Sequence, residues 1–273
     1  MSVGVGKLAR FPPVGQITGT TLSSTHTTPC PTRAHPFTWR TPTARAGRVA
    51  CPTVTDLDTA FLTATRTSYD AIAADYAARF PEAMGGVPLD RALVSAFAEL
   101  ARAHSPAPVA DLGSGPGHVT ALLHELDVPV FGVDLSPRMV ALARRAHPEV
   151  RFHVGTMTRL DLPDATLGGL LALYSIIHVP DDHLPTTFAE FHRVLRPGAP
   201  VLVSFQTVEA EDRLRLTERF GHEIALDYYW RTPEKVADLL VKAGLDPYAR
   251  VVREPGEDEK LPKAFLLARK PAS

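Results

Sequence analysis

Hydrophobic positions recur first with a helical period and then in alternating strand and helix patterns. Between Thr59 and Phe80 good helix formers carry Tyr69, Ile72 and Tyr76 at i, i+3, i+7 spacing, which predicts an amphipathic helix. Pro81 and the Gly85-Gly86 pair end it, and a second helical pattern runs from Leu89 to His104 with Leu93, Phe97 and Leu100 on one side. Past the break Ser105-Pro-Ala-Pro108 the rhythm changes. Val109 to Leu112 is a short apolar strand, then come a glycine loop and a helix to about Leu126. A strand over Val130 to Val133 ends at Asp134, and a helix over Ser136 to Ala146 has Ser136 as N-cap and Pro137 in the first turn.

Further strands are expected at Arg151 to Val154, at Leu167 to Ile177 and at Pro200 to Phe205, with a helix from Leu184 to Leu195 closed by Arg196-Pro-Gly198. The run Leu167 to Ile177 is almost continuously apolar, as for a strand buried on both faces. Such alternation predicts βαβ units and a parallel sheet with helices on both faces. The tail departs from it: Thr207 to Trp230 is mixed polar and aromatic, Pro233 to Ala243 is an amphipathic helix, and Tyr248 to Arg253 and Ala264 to Lys270 read as adjacent antiparallel strands. The expectation is an α/β fold with a doubly wound, mostly parallel seven-stranded sheet whose last strand is antiparallel. It occupies residues 56–273, opened by helices over 56–105.

Residues 1–55 contain no Asp or Glu, are rich in Thr, Pro and Arg, and show no sustained period. They read as a disordered extension without an address, since they lack a clear amphipathic Arg helix and a secretory apolar core; the alternative is a transit peptide, which such an acid-free, Arg- and Thr-rich leader resembles. Cys30 and Cys51 both fall there and have no metal-site or redox spacing, which fits a reduced, cytoplasmic protein. The net charge of −1 offers no global positive field for nucleic acid or anionic membrane. No apolar run approaches the roughly 20 residues of a transmembrane helix.

Candidate chemistry concentrates in Asp111-Leu-Gly113-Ser-Gly115-Pro-Gly117, between a strand and a helix. Glycines there permit a sharp turn and close approach of a ligand. Asp134, seventeen residues beyond Gly117, ends the next strand, where a carboxylate can accept both hydroxyls of a ribose. A dinucleotide loop would read G-x-G-x-x-G, whereas this one reads G-x-G-x-G with His118 following. The acid at Asp111 disfavours a pyrophosphate and suits a cationic ligand. Electrostatics therefore favour S-adenosylmethionine over a nicotinamide cofactor.

This loop resembles motif I of the class I, Rossmann-like S-adenosylmethionine-dependent methyltransferases of small molecules. The resemblance continues through Gly132-Val-Asp134-Leu-Ser136, Leu160-Asp-Leu-Pro163, Ser175-Ile-Ile-His178-Val-Pro-Asp181 and Val194-Leu-Arg-Pro-Gly198, and spans about residues 60 to 270. It implies that S-adenosyl-L-methionine is the cofactor, with Gly113, Ser114, Gly115 and Gly117 as its loop and Asp111 near its amino group. Asp134 would hold the ribose, Leu135 and Met139 would flank the adenine, and Tyr69, Tyr76 and Tyr174 would also face the cofactor. Where the family usually has an acid for the adenine amino group, this chain has Thr156 and Met157.

His178 is the candidate catalytic base, since neutral imidazole suits proton removal near pH 7; the alternative is that it shapes its loop by hydrogen bonding to backbone. The segment 207–231 is the expected substrate cover, with Phe220, Tyr228, Tyr229 and Trp230 as aromatic walls and Arg231 to read an acid group. The function implied is methyl transfer to an O, N or C nucleophile of a small-molecule acceptor, in specialised metabolism, by a monomer or homodimer. A non-catalytic cofactor-binding regulator is one alternative. A nucleic-acid methyltransferase is another, disfavoured because Tyr174-Ser-Ile-Ile replaces an Asn/Asp-Pro-Pro-aromatic tetrad. No partner membrane and no metal are expected.

Overall fold

The computed structural model describes residues 56–80, 87–257 and 259–272. The expected disordered extension, its two cysteines and the helix break at Pro81 and Gly85-Gly86 lie outside the described residues.

Two helices, α1 (Asp56–Arg79) and α2 (Pro88–Arg102), precede the alternating segment. The latter comprises β1 (Val109–Leu112), α3 (His118–Glu125), β2 (Val130–Asp134), α4 (Pro137–Ala146), β3 (Arg151–Val154), β4 (Gly169–Leu173), α5 (Leu184–Val194) and β5 (Pro200–Gln206). The tail adds β6 (Asp212–Arg219), β7 (His222–Trp230), α6 (Pro233–Lys242), β8 (Asp246–Arg253) and β9 (Lys263–Arg269). The main sheet has seven strands in the order β3-β2-β1-β4-β5-β9-β8. Strands β1 to β5 are parallel, and β9 lies antiparallel between β5 and β8.

Chain order reverses between β1 and β4, which opens a crevice beyond their C-terminal ends. All four residues of β1 are buried, as a strand covered on both faces requires. On one face Leu171, Leu202 and Phe265 of the sheet pack against Val94, Phe97 and Ala101 of α2 and Leu123 of α3. The buried face of α2 runs through Asp90, Val94, Phe97, Ala98 and Ala101, so its centre is rotated from the expected Leu93–Phe97–Leu100 stripe.

Two elements differ from the sequence pattern. The apolar run Leu167 to Ile177 is strand only over Gly169–Leu173; Tyr174 then takes φ +52°, and Ile176–His178 form one 3-10 turn. Apolarity reports burial there without distinguishing strand from buried turn. The stretch Thr207 to Trp230 contains the antiparallel β6–β7 pair, which forms its own two-stranded sheet. Its Ile224 and Leu226 close a small core with Ile72 of α1, so the first helix and the late hairpin form one cover over the crevice. Ser68 on α1 accepts the amide of Ala225 at 2.9 Å and fixes that docking.

Candidate active site

The turn after β1 decides where the crevice opens. Gly113 has φ +77°, and a Cβ there would stand 2.4 Å from Cβ of Ser175, so only glycine lets the β1 and β4 loops touch. Gly115 has the opposite surroundings. Nothing lies within 4 Å of where its Cβ would be, because it faces the cavity. Its amide donates to Oδ2 of Asp134 at 2.8 Å, and the amide of Ser136 donates to Oδ1 at 2.8 Å. Each carboxylate oxygen keeps a lone pair for a further donor. Burial pushes the Asp134 carboxyl up to about 6, against the pull of these amides.

Ser136 is held from two sides. Its hydroxyl accepts the amide of Met139 at 3.1 Å and donates to Oδ1 of Asp70 on α1 at 2.6 Å. Asp70 also accepts the amide of Arg138 at 3.1 Å. A carboxylate from α1 thus sits at the N-terminus of α4, where exposed amides favour negative charge, and the cover is tied to the loop that carries Asp134.

The cavity has a volume of about 860 Å³, within the range of small-molecule sites. One end is walled by Ser114, Gly115, Leu135, Met139, Thr156 and Met157. The Ser114 hydroxyl is buried beside Gly132 with no hydrogen-bond partner. Tyr174, Gln206, Arg253, Glu259 and Lys263 wall the other end.

His178 lies between the two ends. Its Nδ1 is 2.9 Å from the carbonyl oxygen of Asp227, which can only accept, so Nδ1 carries the proton. Burial lowers the imidazole to about 4, so it is neutral near pH 7 and Nε2 is a bare acceptor. The hydroxyl of Tyr69, whose own ionisation burial pushes well up, donates to that Nε2 at 2.7 Å. Arg219 donates to the Tyr228 hydroxyl at 2.7 Å beside them.

Residues 109–198 match the family model described as a methyltransferase domain. That stretch, about a third of the chain, resembles a methyltransferase domain. Over 91 residues it is 33% identical to the demethylmenaquinone methyltransferase of Chlorobaculum parvum, covering 33% of this chain and 37% of that protein. It is 29% identical over 168 residues to the malonyl-(acyl-carrier protein) O-methyltransferase of Pectobacterium atrosepticum, covering 61% of this chain and 63% of that protein. The chain therefore spans less than two thirds of the length of either curated relative. A solved 1,6-didemethyltoxoflavin-N1-methyltransferase of Burkholderia thailandensis, with bound 1,6-didemethyltoxoflavin and S-adenosylhomocysteine, is similar at TM-score 0.59. It is 26% identical, covering 82% of this chain and 93% of that one. The fold is that of the class I S-adenosylmethionine-dependent methyltransferases.

Of the expected site residues, Tyr69, Tyr76, Gly113, Ser114, Gly115, Asp134, Leu135, Met139, Thr156, Met157, Tyr174, His178, Tyr228 and Trp230 all line this cavity. Asp111 and Gly117 do not. Asp111 is buried under the loop, its Oδ2 accepting the Thr120 hydroxyl at 2.7 Å, and burial pushes it up to about 6. Gly117 is the N-cap of α3. Tyr174 stands at the end away from Asp134, donating to Oδ2 of Asp90 at 3.2 Å. Thr156 is engaged locally, accepting the amide of Thr158 at 3.2 Å.

Three of the expected substrate residues also lie outside the lining. Phe220 packs in the cover core. Tyr229 lies between the guanidinium groups of Arg213 and Arg231, 5.2 and 5.3 Å from its ring centre. Arg231 is only 2% exposed and is occupied: Nε donates to Asp181 at 2.7 Å, Nη1 to the carbonyl of Ile176 at 3.1 Å and Nη2 to that of Val179 at 2.5 Å. It braces the turn that presents His178 and has no free donor face toward the cavity.

The sequence pattern missed Asp70, Asp90, Gln206, Arg253, Glu259 and Lys263. They come from separate stretches of the chain, and only folding gathers them. The one available signal is that Gln206 and Lys263 interrupt otherwise apolar strand ends, a departure from pattern of the kind functional sites produce.

Proposed function

We propose that the chain transfers a methyl group from S-adenosylmethionine to an O, N or C nucleophile of a small-molecule acceptor. The observation that carries the reading is Asp134, whose two oxygens are fixed by the amides of Gly115 and Ser136 yet keep lone pairs beside open space at Gly115. The residues present fit an adenosine-bearing sulfonium: Asp134 would accept the ribose hydroxyls, and Leu135 and Met139 offer an apolar slot for the base. When bound, S-adenosylmethionine supplies an activated methyl group with its own leaving group. The protein's part is positioning and exclusion of water. Loop 113–117 and α4 hold the donor end, and α1 with the β6–β7 hairpin roofs the crevice. Tyr69 presents its hydroxyl oxygen at the middle, backed by Nε2 of His178, where a proton passed to the oxygen can be relayed to the imidazole.

Calorimetric titration of the full chain with S-adenosylhomocysteine tests the reading. Binding is expected for the wild type and its loss for D134A; unchanged affinity in D134A overturns the assignment of the site. Transfer of a labelled methyl group to members of an acceptor panel separates an enzyme from a regulator that only binds.

A further inference from the structure

At the end of the cavity away from Asp134, Lys263 is held only by a long ion pair to Glu259 and by the Tyr174 ring, 5.9 Å from its ammonium. Its side chain is 9% exposed, and its nearest acid oxygen is Oε1 of Glu259 at 3.8 Å, beyond hydrogen-bond reach. Glu259 is already committed. Arg253 donates from Nη1 to its Oε2 and from Nη2 to Oε1 at 2.9 Å. The same guanidinium takes both oxygens of Asp90, at 2.7 and 2.9 Å, and the Tyr174 hydroxyl adds to Asp90. Both acids are thus satisfied by Arg253, which leaves the ammonium of Lys263 buried with three donors to place. Burial, with the Arg253 guanidinium nearby, pulls its ionisation down, and Glu259 and Asp90 only partly offset that. A buried cation so poorly partnered is costly to the apo protein and calls for an anion.

The neighbour of Lys263 points the same way. Gln206 is its direct cross-strand partner on β5, so both side chains stand on one face of the sheet, and both line the cavity. The Oε1 of Gln206 is buried without a hydrogen-bond partner. The lining of this end therefore offers a buried cation beside an unused amide acceptor. With Arg253 and Lys260 counted against Asp90 and Glu259, the end carries a net positive charge. Tyr174, Leu214, Trp230 and Leu261 supply apolar walls.

We propose that this end of the cavity selects a small acidic acceptor, with Lys263 receiving its carboxylate and Gln206 a neighbouring hydroxyl or amine. The inference rests on the methyltransferase reading and adds the charge of the substrate to it.

Three probes of one shape and different charge test this: 3-hydroxybenzoate, 3-hydroxybenzamide and 3-hydroxybenzylamine. The thermal midpoint of the full-length protein is read with each, with and without saturating S-adenosylhomocysteine. The benzoate is expected to raise the midpoint of the wild type, to bind at least tenfold more weakly to K263M, and to recover in K263R. Equal shifts from the amide or the amine overturn the proposal, as does a benzoate shift that survives K263M or is absent from the wild type. K263Q replaces K263M if the latter does not fold. Failure of S-adenosylhomocysteine to shift the midpoint would remove the methyltransferase reading alone, since the arm without it still reports whether Lys263 selects an anion.

Discussion

The hydroxyl of Tyr69 donates to Nε2 of His178 across 2.7 Å, so the imidazole that the sequence marks as a base meets the cavity with its lone pair already engaged. Its other nitrogen is held by the carbonyl of Asp227. Both readings of His178 thus meet in one geometry: it braces the β7 backbone and backs a tyrosine that lines the cavity.

The two residues are therefore expected to act as a unit. Y69F and H178A should each lower kcat for methyl transfer, by roughly a hundredfold if the pair relays a proton. The double variant should lose little more than either single one, since residues in one hydrogen-bonded unit are strongly non-additive. Additive losses, measured in a double-mutant cycle on kcat, would show that the hydrogen bond carries no function.

Asp111 and Asp134 give a pH signature with opposite signs for stability and binding. Burial raises both carboxyls from 3.8 to about 6. Between those values the folded chain keeps protons that the unfolded chain has released. Their contribution to stability is then greatest at low pH and is lost as pH rises toward 6, by up to about 1.4 kcal/mol per pH unit for each group. Glu259, held down to about 2 by Arg253, works the other way as pH falls below its ordinary range. Comparison with D111N, in which the Thr120 hydroxyl keeps an acceptor, isolates the first effect: the wild type should lose stability relative to D111N from pH 4.5 to 6.5. Affinity for S-adenosylhomocysteine should rise over the same interval, because an ionised Asp134 accepts the ribose hydroxyls better, and D134N should abolish that rise. Calorimetry at pH 5 and 7.5 reads it directly.

The end of the cavity at Asp134 was legible because its residues lie close together in the chain. Gly113 to Gly117 and Asp134 sit at fixed offsets from strand ends, and strand ends follow from local apolar periods. The other end was not. Lys263 and Gln206 are 57 positions apart in the chain and meet only through antiparallel pairing of β5 with β9. Asp90 and Arg253 are 163 positions apart. Aromatic composition alone marked 207–231 as a cover, yet it could not say that Tyr228 and Trp230 face inward while Tyr229 and Arg231 turn away. Strand alternation carries that information, and the polar, irregular run hid the hairpin.

Arg231 is expected to matter for the fold of the His178 turn. Replacing it with Met removes an ion pair to Asp181 and donors to two buried carbonyls, at a cost of roughly 2–4 kcal/mol. For a chain of this size that lowers the thermal midpoint by roughly 5–15 °C. D181N should cost less, on the order of 1 kcal/mol, because Asp181 is 46% exposed and the two carbonyl bonds persist. A D181N variant as unstable as R231M would place the stabilisation in the ion pair instead. If Arg231 read the acceptor directly, R231M would raise KM with the melting midpoint unchanged.

The two glycines of the loop should fail in different ways. At Gly113 an alanine Cβ would collide with Ser175 at 2.4 Å in a left-handed backbone conformation. The β1 and β4 loops must then separate, and G113A is expected to lose stability and binding together. At Gly115 the added methyl meets no protein atom, so its structural cost is only that of a left-handed alanine, about 1–2 kcal/mol. The methyl instead occupies space beside the Asp134 carboxylate, where the ligand is to sit. G115A should therefore fold, with a melting midpoint lowered by a few degrees, and bind S-adenosylhomocysteine at least tenfold more weakly. Titration of both variants beside their melting curves distinguishes the two cases. A G115A protein that binds as tightly as the wild type would mean that the open space at Gly115 is not where the ligand lies.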